Sequence, residues 1–404
     1  QRMIMSRNRQ WMVGLLSVGL MIGCGVVPGT AQTGVFARDF IGAIADKVNT
    51  YQYTHPSPYS NNNWIRGTYY TGVMAMYQAT GDKRYLDQCI AWGEKTHWQI
   101  PKKETNVYGS GFYSLVCGQT WIECYLDQQE DHMLRPTIDH LEDPARCNPV
   151  TEPLTWHYEN SGLRFVDGLY TSPPALAMLY QVTQDEKYLD WMDASFWDTY
   201  GVLYDKDEGL FYRDARYRIG TQEHIESHYI RPDSIPREAA RTTYIYQQTE
   251  HGKKVLWSRG NGWAFGGLTR ILKYLPPDHG NYERYKALFV RMAYELKTRQ
   301  QSDGFWRPNL ADPDDYGYTE SSGTSFFTYG ITWGINNGIL PREDFLPVIE
   351  KSWAAVVSVI SPDGKVQWCQ PAAGAPFKVE QDDSREYASG MFLLAASELF
   401  RLEW

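Results

Sequence analysis

Seven consecutive residues, Trp257-Ser258-Arg259-Gly260-Asn261-Gly262-Trp263, combine two indole rings, a guanidinium and two glycines. Indole faces stack on sugar rings or cover cations. An arginine presents a planar fork that meets a carboxylate through two parallel hydrogen bonds. Glycine lets backbone approach where a side chain would block it. Together these groups suit a ring that carries a carboxylate, and a uronic acid is such a ring. The same residues also suit a helix-entry loop with two core tryptophans, Asn261 shaping the turn.

Other candidate groups lie far from this segment. Asp167 opens Asp167-Gly168-Leu169-Tyr170-Thr171-Ser172-Pro173-Pro174, behind the apolar Phe165 and Val166. By residue type alone it reads as a helix N-cap. His157 stands between Trp156 and Tyr158, which suits either a pocket or the surface. Glu320, Ser322, Gly323 and Thr324 would line a site or make a tight helix entry. No histidine accompanies Ser322 or Thr324 as a base, so a nucleophilic serine is not supported. His224 and His228 are four apart, with Glu223 and Glu226 nearby. They lie in a polar segment from Arg216 to Lys254 that contains Pro232 and Pro236 and reads as an inserted loop. Metal is therefore not expected there, and no cofactor is expected.

Positioning such scattered groups is the task of the rest of the 404 residues. With 22% charged and 43% hydrophobic residues the chain is globular. Aromatics reach 15%, and the net charge of -9 comes without a basic tract, which argues against nucleic acid. The segment Tyr77-Gln78-Ala79-Thr80-Gly81-Asp82-Lys83-Arg84-Tyr85-Leu86-Asp87 is echoed by Tyr180-Gln181-Val182-Thr183-Gln184-Asp185-Glu186-Lys187-Tyr188-Leu189-Asp190. Each reads as helix, polar turn, helix, with Asp82 and Asp185 as N-caps. Weaker echoes bring the count to about six hairpins, which implies a helical array. Strand signals are limited to Gly209–Tyr212 and Lys365–Cys369. We read a single all-α domain over 32–404, a ring of inner and outer helices whose loops converge on one funnel. An open solenoid would give the same periodicity.

The N-terminus follows the export pattern. Arg2, Arg7 and Arg9 precede an apolar run from Trp11 to Ile22, and small residues follow to Ala31. Leu20-Met21-Ile22-Gly23-Cys24 forms a loose lipobox, so residues 1–31 are expected to be a signal peptide or a lipoprotein signal with Cys24 lipidated. Either implies a periplasmic or outer-membrane-anchored protein of a bacterium. The remaining cysteines, Cys89, Cys117, Cys124, Cys147 and Cys369, are odd in number and fit no zinc spacing. Cys117 and Cys124 read as buried thiols on one helix face.

Three segments resemble the unsaturated glycuronyl hydrolases of glycoside hydrolase family 105 and its neighbour family 88. They are Trp257 to Trp263, Asp167 to Pro174, and Glu320-Ser321-Ser322-Gly323-Thr324-Ser325-Phe326-Phe327-Thr328-Tyr329-Gly330. The resemblance runs through the repeats from about residue 35. It implies an (α/α)6 barrel that removes a 4,5-unsaturated uronic acid from the non-reducing end of oligosaccharides left by a polysaccharide lyase. In the family an aspartate protonates C4 of the enol ether and draws water onto C5, so Asp167 is the implied acid. Arg259, Trp257, Trp263, His157, Glu320 and Thr324 become substrate-binding candidates. Two departures stand out. Relatives often carry a second aspartate near Gly111-Phe112-Tyr113-Ser114-Leu115-Val116, where this chain has no carboxylate and offers Ser114 or Tyr113. Arg213 replaces a histidine found after Gly-Leu-Phe-Tyr in some relatives. The alternatives are a glycosidase or lyase for saturated uronides on the same barrel, and a non-catalytic glycan-binding lipoprotein.

Overall fold

The computed structural model describes residues 34–101, 113–143, 164–219, 229–230, 244–245 and 247–404. Its helices are α1 (Arg38–Thr54), α2 (Trp64–Thr80), α3 (Lys83–Thr96), α4 (Leu115–Gln128), α5 (Asp131–Glu142), the single turn α6 (Gly168–Thr171), α7 (Pro173–Thr183), α8 (Lys187–Leu203), α9 (Ser258–Tyr274), α10 (Tyr282–Arg299), α11 (Ser321–Asn336), α12 (Arg342–Ser358) and α13 (Glu386–Arg401). Helices α2, α4, α7, α9, α11 and α13 pack side by side in that order, and α13 returns to pack on α2. The array is therefore closed, an (α/α)6 barrel. Helices α3, α5, α8, α10, α12 and α1 lie outside against their hairpin partners.

The two rings differ as burial requires. The inner α11 is buried at every position from Ser321 to Ile335. The outer α3 buries Tyr85, Leu86, Cys89, Trp92, Gly93 and Thr96, a stripe three to four residues apart. The echoed turns share one geometry. Gly81 takes φ 71 and Asp82 accepts from the Arg84 amide at 3.0 Å. In the second copy Gln184 takes φ 59 and Asp185 accepts from the Lys187 amide at 3.1 Å. Asp82 is the N-cap of α3 as its position suggested, whereas Asp185 stands one residue ahead of Glu186, the N-cap of α8, and still accepts from the first amide of that helix.

Of the two strand candidates, Leu210–Phe211 (β2) pairs antiparallel with Tyr204–Asp205 (β1). Lys365 to Cys369 contributes only the bridge between Ile360 and Val366. Within the inserted segment, Tyr229–Ile230 (β3) runs parallel to Tyr244–Ile245 (β4). Cys89, Cys117, Cys124 and Cys369 are buried. Cys24, Cys147, His157, His224, His228 and the expected signal over 1–31 lie outside the described residues. Among the described residues no helix is long and apolar enough to cross a membrane, and no cluster suits a metal ion.

Closure depends on two glycines. A Cβ on Gly72 would lie 2.3 Å from the carbonyl oxygen of Gly390, and one on Gly390 would lie 2.4 Å from that of Thr68. Backbone on both sides leaves nothing flexible to yield. Gly390→Ala should therefore lower the thermal unfolding midpoint, at a cost of roughly 1–3 kcal/mol as in overpacked cores. Gly201→Ala in the outer α8, where an added Cβ meets nothing within 4 Å, should leave the midpoint unchanged or raise it.

Candidate active site

The N-terminal ends of the inner helices meet at one mouth of the barrel. There Trp64, Tyr113, Asp167, Arg213, Trp257, Arg259, Trp263, Ala372 and Ala373 surround a cavity. The free space among them is about 30 Å3, so the walls stand drawn together around room for little more than a water. Asp167 and the Trp257–Trp263 segment, ninety residues apart, face the same space.

Local backbone bonds explain the meeting. Asn261, in the first turn of α9, accepts from the Phe211 amide at 2.8 Å and donates to the Phe211 carbonyl at 3.0 Å. That double bond fixes β2 against α9 and places Arg213 two residues further on. The Val166 amide then donates to the Arg213 carbonyl at 2.9 Å, which sets Asp167 beside the Arg213 side chain. Asn261 thus does more than shape its own turn.

Asp167 precedes α6, but its side chain makes no capping bond. Its carboxyl is 13% exposed, and Oδ2 lies 3.5 Å from Nε of Arg213. Neither of those two buried atoms has a hydrogen-bond partner. Burial raises the Asp167 pKa above the ordinary aspartate value, against the opposing pull of the Arg213 and Arg259 charges. The next carboxylate behaves oppositely. Asp214 is fully buried, which alone would raise it, yet the bonds from Arg216 and the charge of Arg213 hold it below the usual range. Arg213 is gripped by Asp214 at 2.8 Å and lies 3.4 Å from the centre of the Phe165 ring.

Arg259 is placed differently from expectation. Its Nη1 donates to the Gln370 carbonyl at 2.8 Å and to Ser322 Oγ at 3.3 Å, and its Nη2 to the Pro371 carbonyl at 3.0 Å. It is sandwiched near Trp257 and Tyr387, at 4.5 and 5.0 Å from their ring centres. Its fork therefore holds the strap Pro371-Ala372-Ala373-Gly374-Ala375 over the cavity, and a full carboxylate grip would require releasing those carbonyls. Trp257 bonds Gln370 Oε1 through its indole N–H at 3.1 Å. Trp263 packs against Tyr170 and Phe326, and its N–H has no partner. Both indoles are core and wall at once.

Glu320, Thr324 and Ser114 belong to the scaffold and not to the lining. Glu320 caps α11, accepting from the Ser322 and Gly323 amides at 3.1 and 2.7 Å, and it also accepts from the Gln370 amide at 3.2 Å. Thr324 donates to the Glu320 carbonyl and accepts from the Trp306 amide. Ser114 is buried ahead of α4, and its neighbour Tyr113 lines the cavity. Trp64, Ala372 and Ala373 were not singled out from sequence. No local pattern distinguishes them, since only ring closure brings them to the mouth.

The family model described as Glycosyl Hydrolase Family 88 matches residues 37–226 and 239–403. The chain belongs to that family. Among curated proteins it is 31% identical to an unsaturated 3S-rhamnoglycuronyl hydrolase of an Alteromonas species, over 83% of this chain and 77% of the relative. It is 29% identical to a protein of the same name from Formosa agariphila, over 88% and 89%. Among solved structures it is similar to a family 88 glycosyl hydrolase from Bacteroides vulgatus, with TM-score 0.75, 29% identity and coverage of 90% and 99%. A structure from Salmonella enterica described as a possible family 105 member, at 18% identity and TM-score 0.71, covering 95% of this chain and 99% of its own, shares the fold.

The electrostatics of this family 88 site give a direct test. Arg213 lowers the Asp167 pKa against the effect of burial. Arg213→Met should therefore move the titration of the Asp167 carboxyl to higher pH, followed by carboxyl-carbon NMR. A shift to lower pH, or none, would show that Arg213 does not act on this acid.

Proposed function

We propose that the protein hydrolyses the bond between a non-reducing 4,5-unsaturated uronic acid and the next sugar. One observation carries the reading: a single buried carboxyl with a raised pKa, Asp167, shares its cavity with a guanidinium that has an unpaired donor, Arg213. Among the described residues Asp167 is the one carboxyl group in the cavity lining. Hydrolysis of a saturated glycoside ordinarily uses two carboxyl groups flanking the bond. An enol ether needs only one acid to begin, because protonating C4 leaves a cation at C5 stabilised by the ring oxygen.

In this scheme Asp167 gives its proton to C4 and then, as carboxylate, takes one from the water that adds to C5. The hemiketal opens to a ketone at C5, and the ring oxygen leaves as a hydroxyl on C1. That hydroxyl and the leaving sugar now share C1, so collapse to an aldehyde releases the sugar. Arg213 is the better placed of the two arginines to receive the uronate carboxylate, since its Nε is free and 3.5 Å from the acid. Trp64, Trp257 and Trp263 supply apolar walls that keep the acid protonated. Seating the ring requires displacement of the Ala372–Ala373 strap. His157 remains a candidate sugar contact.

The curated relatives' names make an unsaturated glycuronyl-rhamnose disaccharide the first substrate to try. The export pattern over 1–31 supports a periplasmic protein, or one anchored to the outer membrane through a lipidated Cys24. A purely glycan-binding role gives no reason for a buried acid of raised pKa.

Loss of the enol-ether absorbance reports turnover. Asp167→Asn should reduce kcat by about 10²–10⁴-fold, the usual worth of a general acid. Retained activity would remove Asp167 from the mechanism. The wild-type rate should fall as pH rises through the raised Asp167 pKa. Stability follows the same sign. A carboxyl whose pKa is higher in the folded state loses its stabilising contribution as pH rises through that value. The Asn variant, which never ionises, should therefore unfold at neutral pH no more readily than the wild type.

A further inference from the structure

A second pocket opens beside the catalytic cavity and plays no part in the proposed reaction. It encloses about 310 Å3, near the lower end of ligand pockets, roughly 300–1,000 Å3. Tyr51, His55, Tyr59, Lys365, Arg385 and Glu386 line it. They come from the last turn of α1, the loop that follows, the segment before α13 and the first residue of α13.

The His55 ring stacks on Tyr51 with centres 4.3 Å apart and planes at 13°. Tyr59 is 45% exposed. Glu386 is 3% exposed and uses one oxygen only. Oε1 accepts from Arg66 Nη2 at 3.0 Å and from the Ser57 amide at 2.9 Å, whereas Oε2 is buried without a hydrogen-bond partner. Arg385 donates to the Ser384 carbonyl at 2.6 Å, and among the described residues no carboxylate pairs with it. Lys365 pairs with the exposed Asp382 at 2.5 Å.

Aromatic faces, a buried acceptor oxygen and a guanidinium with no carboxylate partner are what one acidic sugar unit needs. The rings stack, the carboxylate oxygen takes a hydroxyl, and the fork takes a carboxylate or a sulfate. In a chain of net charge -9, an arginine left without a carboxylate favours an anionic ligand over a neutral one. We propose that this pocket is a second saccharide-binding site for an acidic sugar residue. Glu386 in its wall is followed by Tyr387, which stacks at 5.8 Å on Trp64 of the catalytic cavity. The pocket would hold acidic oligosaccharide at the mouth of the barrel. The inference rests on the saccharide reading of the protein, but not on the role of Asp167.

The test is calorimetric titration of the full chain with saturated probes: a glucuronate-containing oligosaccharide, its carboxyl-reduced counterpart, a sulfated neutral oligosaccharide and inorganic sulfate. The expected result is binding of at least one acidic oligosaccharide, the tighter of the two identifying carboxylate or sulfate as the recognised group. Arg385→Ala and, independently, Tyr59→Ala should each weaken it by roughly tenfold. Tyr59 is exposed, so its removal leaves folding undisturbed. Arg213→Ala should retain this binding, and both pocket variants should turn over a minimal unsaturated disaccharide at the wild-type rate. Affinity for the carboxyl-reduced oligosaccharide equal to that for the tighter acidic one, unchanged affinity in both pocket variants, or binding of inorganic sulfate alone, as an adventitious ion only, would overturn the proposal. Arg385-dependent binding in a wild-type chain that cleaves no unsaturated disaccharide would support this pocket and count against the catalytic reading alone.

Discussion

The seam where α13 meets α2 is the constraint on which the site depends. Each helix contributes a glycine, Gly390 and Gly72, whose missing side chains let the two backbones touch. Towards the mouth, the same seam carries the ion pair of Arg66 and Glu386 at 3.0 Å, with side chains 8% and 3% exposed. At the mouth itself Trp64 stacks on Tyr387. Contact, charge pair and ring stack thus succeed one another along a single line. Because the seam closes the ring, α9, α6 and α2 aim their first turns at a common point. An open array of the same hairpins would spread Trp64, Asp167 and Arg259 along a ridge.

The opposite end of the barrel is tied by charge. Arg270 and Glu123 lie 3.0 Å apart, each 1% exposed, and Arg270 also donates to Gln119 at 2.6 Å. Gln119 in turn donates to the Tyr170 carbonyl at 2.6 Å, so α9, α4 and α6 are joined beneath the acid. Burial alone would raise the Glu123 pKa, but Arg270 and Lys273 hold it below the ordinary range. Lys273 is itself pushed down to about 8 by burial, despite the pull of Glu123. Such a pair gives little net stability relative to apolar packing, yet leaving either member alone is costly. It fixes the register of three helices whose far ends must agree on the position of Asp167.

Much of the architecture was legible in the chain because hairpin turns are local. The Gly81-Asp82 and Gln184-Asp185 turns repeat their chemistry and their geometry. Closure was read from the resemblance and not from the periodicity, which suits an open array equally, since it depends on what Gly72 meets more than three hundred residues away. The site divides along the same line. Asp167, Trp257 and Trp263 could be singled out by motif, and Arg213 by departure from a pattern. The part played by Arg259 could not, because spacing gives the identity of a guanidinium but not which carbonyls it will meet. Glu320 was ambiguous for a related reason. A carboxylate before Ser-Ser-Gly suits a site and suits a cap equally, and the free amides of α11 took it. Trp64 and the alanine strap carry no local signal at all.

The two neighbouring carboxyls at the mouth show how one fold separates roles by environment. Asp214 accepts from two arginines and is held ionised, whereas Asp167 has one guanidinium at 3.5 Å, no hydrogen bond to Oδ2, and aromatic walls. The difference of environment is enough to push their pKa values in opposite directions. Asp214 then serves to hold Arg213, and Arg213 limits how far burial raises Asp167. That balance matters for a lone acid. Raised without limit, Asp167 would be too weak an acid to give its proton to C4. Held too low, it would carry no proton to begin with. Tyr113 stands at the cavity wall and brings no second carboxyl, so in the proposed reaction both duties fall to Asp167. The arginine at position 213 supplies the compromise that lets one carboxyl perform them in turn.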